Sequence, residues 1–288
     1  MTKLFYLTVG LLLLAGIFGL LHRFSSAWER HRFFREGFRT DVLWWYFRFT
    51  VVDAAGRIAF LVPAVLLGLA LGFRAEDVKD GYRGFGPLAA LPAAPQVVLF
   101  LLVFDFSLYW NHRLFHSGRW WKYHSVHHAP EIVDWLSAIR VHPVNEILGN
   151  ILSLLPVLAL GFNPELVAPF GVVAGFYALV VHADLDWDFG PFRHVIASPA
   201  FHRWHHSKNV EAWDKNFGAL FPVWDVIFGT FYLPRGLRAE NFGIHDPMPV
   251  SLWGQLAQPF RRTRPAAPQP MPHGPPPRSP VIICHDFL

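Results

Sequence analysis

The chain has 288 residues, enough for one or two domains. Hydrophobic residues make up 53% and charged residues only 16%, with a mean hydropathy of +0.28; soluble domains carry roughly 25% charged residues, so a membrane protein is expected. The net charge of +4 comes without a basic run interleaved with stacking aromatics, which argues against a nucleic-acid partner, and the single cysteine, Cys284, excludes a disulfide framework and any cysteine-based zinc or iron–sulfur site.

The first element is "LFYLTVGLLLLAGIFGLL" (4–21), an uncharged run of spanning length. It lacks a small-residue cleavage site, so a retained helix is expected rather than a cleaved signal. A second span is expected over 58–73, extended upstream, and a third from about Leu88 to Trp110. A fourth (144–162) and a fifth (165–182) are joined by the turn dipeptide Asn163-Pro164 and read as a helical hairpin. Beyond about Arg261 the chain becomes Pro-rich without apolar periodicity and reads as a disordered tail, 261–288, after a single domain, 1–260.

Charge orients these spans. Arg23, Arg30, Arg32, Arg35, Arg39, Arg48 and Arg57 lie between the first and second. Only Arg74, Lys79 and Arg83, offset by Glu76, Asp77 and Asp80, lie between the second and third. The positive-inside rule places the first linker in the cytoplasm, and all the histidine runs then fall on that face.

Those runs are "HRLFH" (112–116), "HSVHH" (124–128) and "HRWHH" (202–206). Residues three and four apart share a helix face, so each run can aim its rings at one point. His112, His116, His124, His127, His128, His202, His205 and His206 are more imidazoles than one tetrahedral ion accepts, and two metals sharing eight or more nitrogens is the simpler arithmetic. Imidazole suits Zn, Cu, Fe and Ni alike. A one-metal zinc hydrolase and a catalytically degenerate metal-binding protein are the alternatives, although no H-E-x-x-H helix with its general-base Glu is present.

The order H-x3-H, H-x2-H-H, H-x2-H-H resembles the fatty acid hydroxylase / sterol desaturase superfamily of membrane di-iron oxidoreductases. "DFSLYWNHRLFH" (105–116), "RVHPVNE" (140–146), "SPAFHRWHHS" (198–207) and "DKNFGALFPVWDVIFGTFY" (214–232) are similar to its signature segments, over a core of about 95–235. The resemblance implies an all-α integral membrane bundle of four to five spans with a histidine-rich cap on the cytosolic face. That membrane would be the plasma membrane in a bacterium or the endoplasmic reticulum in a eukaryote. It implies two iron ions held by the eight histidines, O2 as co-substrate, and hydroxylation or desaturation of a lipid C–H (sterol, fatty acyl, ether lipid or carotenoid). Without a haem domain, a dinucleotide fingerprint or an iron–sulfur cysteine set, a separate reductase with ferredoxin or cytochrome is implied as electron donor.

By the same resemblance His182, twenty residues before His202, is a ninth ligand. Its i+4 neighbour is Asp186, and Asp184 stands where many relatives carry Asn; both are candidates for the metal or its surroundings. Asp105, Tyr109, His112 and His116 form one helical stripe, and Asp105 is a carboxylate inside a span that needs a partner; orienting a ligand histidine would supply one. His142 is a further candidate. Asp214, Asn216 and Asp225 could close hydrogen bonds around the site, with Trp224 and Phe228 packing. His22, His31, His194, His245, His273 and His285 lack helical partners and read as ordinary.

Overall fold

The computed structural model describes residues 2–23, 25, 34–74 and 83–261. Among these the chain is helical, and the one extended pairing is an isolated bridge between Ser207 and Phe242. The helices that build the site and its frame are α1 (Lys3–Arg23), α2 (Phe38–Ala70), α3 (Ala93–Phe115), α4 (Trp121–His128), α5 (Pro143–Ala159), α6 (Pro164–His182), α7 (Pro199–His205), α8 (Val223–Ile227) and α9 (Leu252–Ala257). Of these α1, α2, α3 and α6 are long and apolar enough to cross a membrane, and α5 is a shorter apolar helix. The chain is an all-α membrane bundle, and apolar side chains such as Leu12, Ile58 and Val172 face outward, as a lipid solvent requires.

Two spans differ from their expected bounds. The second is not a helix beginning near residue 58 but the 33-residue α2, continuous from Phe38 through a π-helical turn at Arg48–Val52. At 1.5 Å per residue it is about 50 Å long, well beyond a hydrocarbon core of about 30 Å. Arg39, Arg48, Asp53 and Arg57 broke its hydropathy in the sequence, yet they are helical residues rather than linker. Arg48 Nη2 meets Glu146 Oε1 of α5 at 2.7 Å, and Asp53 is shared by Arg57 (2.7 Å) and Lys3 (3.2 Å). The fourth run is helical only over the 17 residues of α5, whose end is set by Gly161 at φ +77°. There the Gly161 carbonyl accepts from Phe85 N at 2.9 Å, and a Cβ at Gly161 would meet Phe85 O, so glycine is required. The hairpin then restarts at α6, where Asn163 Oδ1 caps Glu165 N and Pro164 supplies the first turn. The tail beyond residue 261, and with it His273, Cys284 and His285, lies outside the described residues, as does His31.

The connection after α4 is pinned by buried charge. Asp134 takes Arg35 through two contacts (2.6 and 2.5 Å), Arg35 also reaches Asp41 at 2.8 Å, and Arg140 pairs with Asp41. Around this network Phe18 of α1 stacks on Trp135 at 5.1 Å, within a core that includes Ile139, Ala183 and Leu185. Trp44 of α2 donates to Gln255 Oε1 of α9 at 2.7 Å. The cap is thereby tied to the spans on two sides.

Candidate metal centre

α3 and α6 end side by side, delivering His112, His116 and His182 to one end of the bundle, where α4 and α7 lie across them. Pro199 opens α7, and Ser198 Oγ accepts from Phe201 N at 3.1 Å, so the cap that starts this short helix also sets the direction of its histidines. The nine expected histidines are brought together in two groups: His112, His116, His124, His128 and His205 form one; His127, His182, His202 and His206 form the other.

The grouping corrects one expectation. No run of three aims at a single point. On a helix each residue turns about 100°, so adjacent histidines cannot face one ion. The i, i+4 pairs stay together (His112/His116, His124/His128, His202/His206), while His127 and His205 cross to the other group. His127–His128 and His205–His206 therefore place the groups next to each other, with the His128 and His206 rings stacked at 4.3 Å.

Within each group the Nε2 atoms converge. His124 Nε2 is 3.1 Å from His112 Nε2 and 3.2 Å from His128 Nε2, which is 3.2 Å from His116 Nε2. His182 Nε2 lies 3.1 Å from His127, 3.0 Å from His202 and 3.1 Å from His206. Nitrogens bound to one metal at about 2.0–2.1 Å stand about 3.0–3.4 Å apart, so the spacing is that of ligands around an ion. Hydrogen bonding among the rings does not explain it. Several rings spend their single proton outward: His112 Nδ1 donates to Phe217 O (3.0 Å), His116 to Asp214 Oδ1 (3.2 Å), His124 to Asn145 Oδ1 (2.7 Å), His182 to Ala178 O (2.6 Å) and His205 to Lys215 O (2.7 Å). Their Nε2 atoms then carry only lone pairs, and the buried Nε2 of His205 has no hydrogen-bond partner. Lone pairs converging in a dry site repel unless a cation lies between them, so the residues fit a metal in each group.

Protonation agrees. Burial pushes His116, His124, His127, His128, His202, His205 and His206 below the ordinary imidazole value, which keeps them neutral and ready to bind. The hydrogen bond from His116 holds Asp214 low. A buried neutral histidine binds its proton more weakly folded than unfolded. Stability of the metal-free protein should therefore be complete above about pH 6.5 and decline as pH falls below it. Thermal unfolding of the metal-free protein across that range checks the sign; stability that rises on acidification would contradict it.

The surrounding residues are less as expected. Asp105 touches no histidine: its oxygens accept from Leu220 N (2.8 Å), Phe221 N (3.0 Å) and Trp224 Nε1 (3.0 Å). Asp225 holds the same loop from the other side, accepting from Phe217 N (2.8 Å), Gly218 N (2.7 Å) and Thr230 Oγ1 (2.6 Å). The two carboxylates therefore act on the rings through the loop whose Lys215 and Phe217 carbonyls face them. Asp214 and Asn216 flank Lys215 in left-handed backbone (φ +53° and +60°), which these residue types tolerate. Trp224 does more than pack, since it binds Asp105. Tyr109 shares a hydrogen bond with Thr230 Oγ1 at 2.9 Å, and Phe228 stacks on it at 5.3 Å.

Asp184 and Asp186 are not brought into either group. Asp184 pairs with Arg203 at 2.9 Å and with Arg238, and Asp186 pairs with Arg238. His142 caps α5, accepting from Val144 N through Nδ1 and donating to Leu256 O through Nε2, so neither nitrogen is open to a metal. His194 lies against Phe231, and His245 lies against Trp213 in the wall of the cavity that opens onto the five-histidine group; neither belongs to a group. Asn145 was not singled out in the sequence; its place in "VHPVNE" was the available signal. The backbone acceptors at Ala178, Lys215 and Phe217 carry no residue signature. A cavity of about 340 Å³ opens onto His116, His128, His205 and His206, flanked by Trp121, Trp213 and Lys208.

Residues 97–230, which carry all nine histidines, match the fatty acid hydroxylase family model. The chain is 33% identical to an ornithine lipid hydroxylase of Rhizobium tropici, over 59% of this chain and 52% of that protein. It is 33% identical to the human alkylglycerol monooxygenase over 50% of this chain and 32% of that one. It is 31% identical to a C-4 methylsterol oxidase of Schizosaccharomyces pombe over 51% and 52%. The chain thus spans about half or less of the length of these relatives. None of the three is named as a hydrolase, so the zinc hydrolase alternative is not favoured. No solved structure matches the chain.

Proposed function

We propose that this chain, whose residues 97–230 match the fatty acid hydroxylase family model, is a membrane-bound oxidoreductase that uses two iron ions, O2 and electrons from a separate donor to hydroxylate or desaturate a lipid C–H. The supporting observation is the pair of adjacent histidine groups, whose inward nitrogens have the spacing of metal ligands. His112, His116, His124, His128 and His205 would hold one ion, and His127, His182, His202 and His206 the other. Two bound irons would supply the oxygen chemistry that an unreactive C–H requires.

The remaining work falls to the protein. Burial of the rings would limit the approach of water to the cavity side, and the loop 214–218 holds His112, His116 and His205 in one tautomer. The cavity between Trp121 and Trp213 offers the substrate carbon a path to His116 and His128. A lipid substrate follows from the bilayer setting: a sterol, fatty acyl, ether lipid or carotenoid. Electrons would come from a ferredoxin- or cytochrome-type partner. Arg23 at the end of α1, Arg35 ahead of α2 and Arg39 in its first turn support a cytoplasmic placement of the histidine end.

The test is turnover in reconstituted membranes with a lipid extract, a reductant and isotopically labelled O2. The expected result is a lipid that gains labelled oxygen or loses two hydrogens. Chelation should abolish this, iron should restore it, and zinc should not. Activity with zinc and without O2 would overturn the proposal.

A further inference from the structure

The two histidine groups differ in what stands behind their rings. In the five-histidine group four outer nitrogens meet an acceptor: Phe217 O behind His112, Asp214 Oδ1 behind His116, Asn145 Oδ1 behind His124 and Lys215 O behind His205. In the four-histidine group His182 alone has one, the Ala178 carbonyl one turn back in its own helix. The Nδ1 atoms of His127, His202 and His206 are buried and have no hydrogen-bond partner among the described residues.

This asymmetry bears on metal affinity. An outer hydrogen bond fixes the tautomer, holds the ring in place and raises the basicity of the inward nitrogen, and losing one costs about 10–100-fold in affinity. The Asp214 carboxylate adds a favourable charge to the five-histidine side, and Asn145 stands on α5, a rigid element independent of the loop that supplies the other three acceptors. The four-histidine group has the opposite character. Three of its rings can turn about their side-chain bonds without breaking an outer contact, and each leaves a buried donor unsatisfied.

Resting on the two-metal reading, we infer that the positions are not equivalent. The five-histidine position fills first and holds its ion at least about 10-fold more tightly than the other. Asn145 is a positioning residue for it, acting through His124. The four-histidine position is the one that exchanges and empties first.

The test is an anaerobic titration of the metal-free full chain in detergent with cobalt(II), followed by its visible absorption. Two phases are expected, the first complete at one equivalent. His202→Ala should remove the second phase and keep the first. Asn145→Leu should weaken the first phase about 10–100-fold and leave the second in place. Asn145→Asp, which keeps an acceptor oxygen, should restore it. Asp214→Gly, which suits the left-handed backbone there and removes a side chain 74% exposed, should weaken the first phase in the same direction. Two equivalents entering in one phase of equal affinity, or Asn145→Leu weakening the second phase instead, would overturn the inference and leave the two-metal reading standing. A wild-type chain that takes up at most one equivalent would overturn that reading, and the inference with it.

Discussion

Replacing His127 by alanine is expected to empty the four-histidine position and abolish turnover, while the protein still inserts and folds. His127 Nε2 lies 3.1 Å from His182 Nε2, and its ring centroid is 4.8 Å from that of His206. Its removal leaves three ligands where four converge. Loss of an outer partner alone costs up to about 100-fold in metal affinity, so loss of a direct ligand should cost more than that. His127 Nδ1 makes no hydrogen bond, so the substitution breaks no tie to the rest of the cap. Metal analysis should show one ion fewer per chain than wild type, with the five-histidine position still loaded. Turnover in this variant at the wild-type rate would remove His127 from the ligand set.

Asp134→Ala should be the most destabilising single change outside the histidine groups. Its carboxylate binds Arg35 through two contacts and accepts from Leu136 N (3.0 Å) and Ser137 N (2.8 Å). The Arg35 side chain is 2% exposed and that of Asp41 is fully buried. Without Asp134 two buried guanidiniums, Arg35 and Arg140, share Asp41. Breaking a buried pair by removing one partner costs about 3–5 kcal/mol, because an uncompensated charge remains inside. The effect reaches the site, since the connection carries Val133 O, which accepts from Arg203 beside His202 at 2.7 Å. Detergent unfolding followed by tryptophan fluorescence should show a lower midpoint, with activity lost in step with the folded fraction. An unchanged midpoint would mean that the network contributes no stability.

The candidate ligand set was legible because histidines placed to share a metal from a helix leave a periodic trace. Eight histidines stood out by spacing; His182, alone at the end of α6, was reached only through resemblance to a family. The division of the runs was also available in principle, since adjacent helical residues point about 100° apart, but which member crosses depends on where the helices lie. Asp105 was legible as a carboxylate that needs a partner in an apolar helix. Two of its three partners are backbone N–H groups, of Leu220 and Phe221, more than a hundred residues away, and backbone donors have no signature in a sequence. Asn145 was hidden for a related reason: a single amide two residues past a proline looks like an ordinary first-turn helix residue. The true length of α2 was obscured by Arg48, Asp53 and Arg57: Arg48 and Asp53 find Glu146 and Lys3 on other helices, and Arg57 pairs with Asp53 one turn back.

Two irons held by nine histidines are the core of the proposed function. The most direct measurement is the metal content of the detergent-purified chain, expressed with added iron, together with its Mössbauer spectrum. Close to two irons per chain with an exchange-coupled spectrum is the predicted result. One zinc, or no metal under the same conditions, would contradict it.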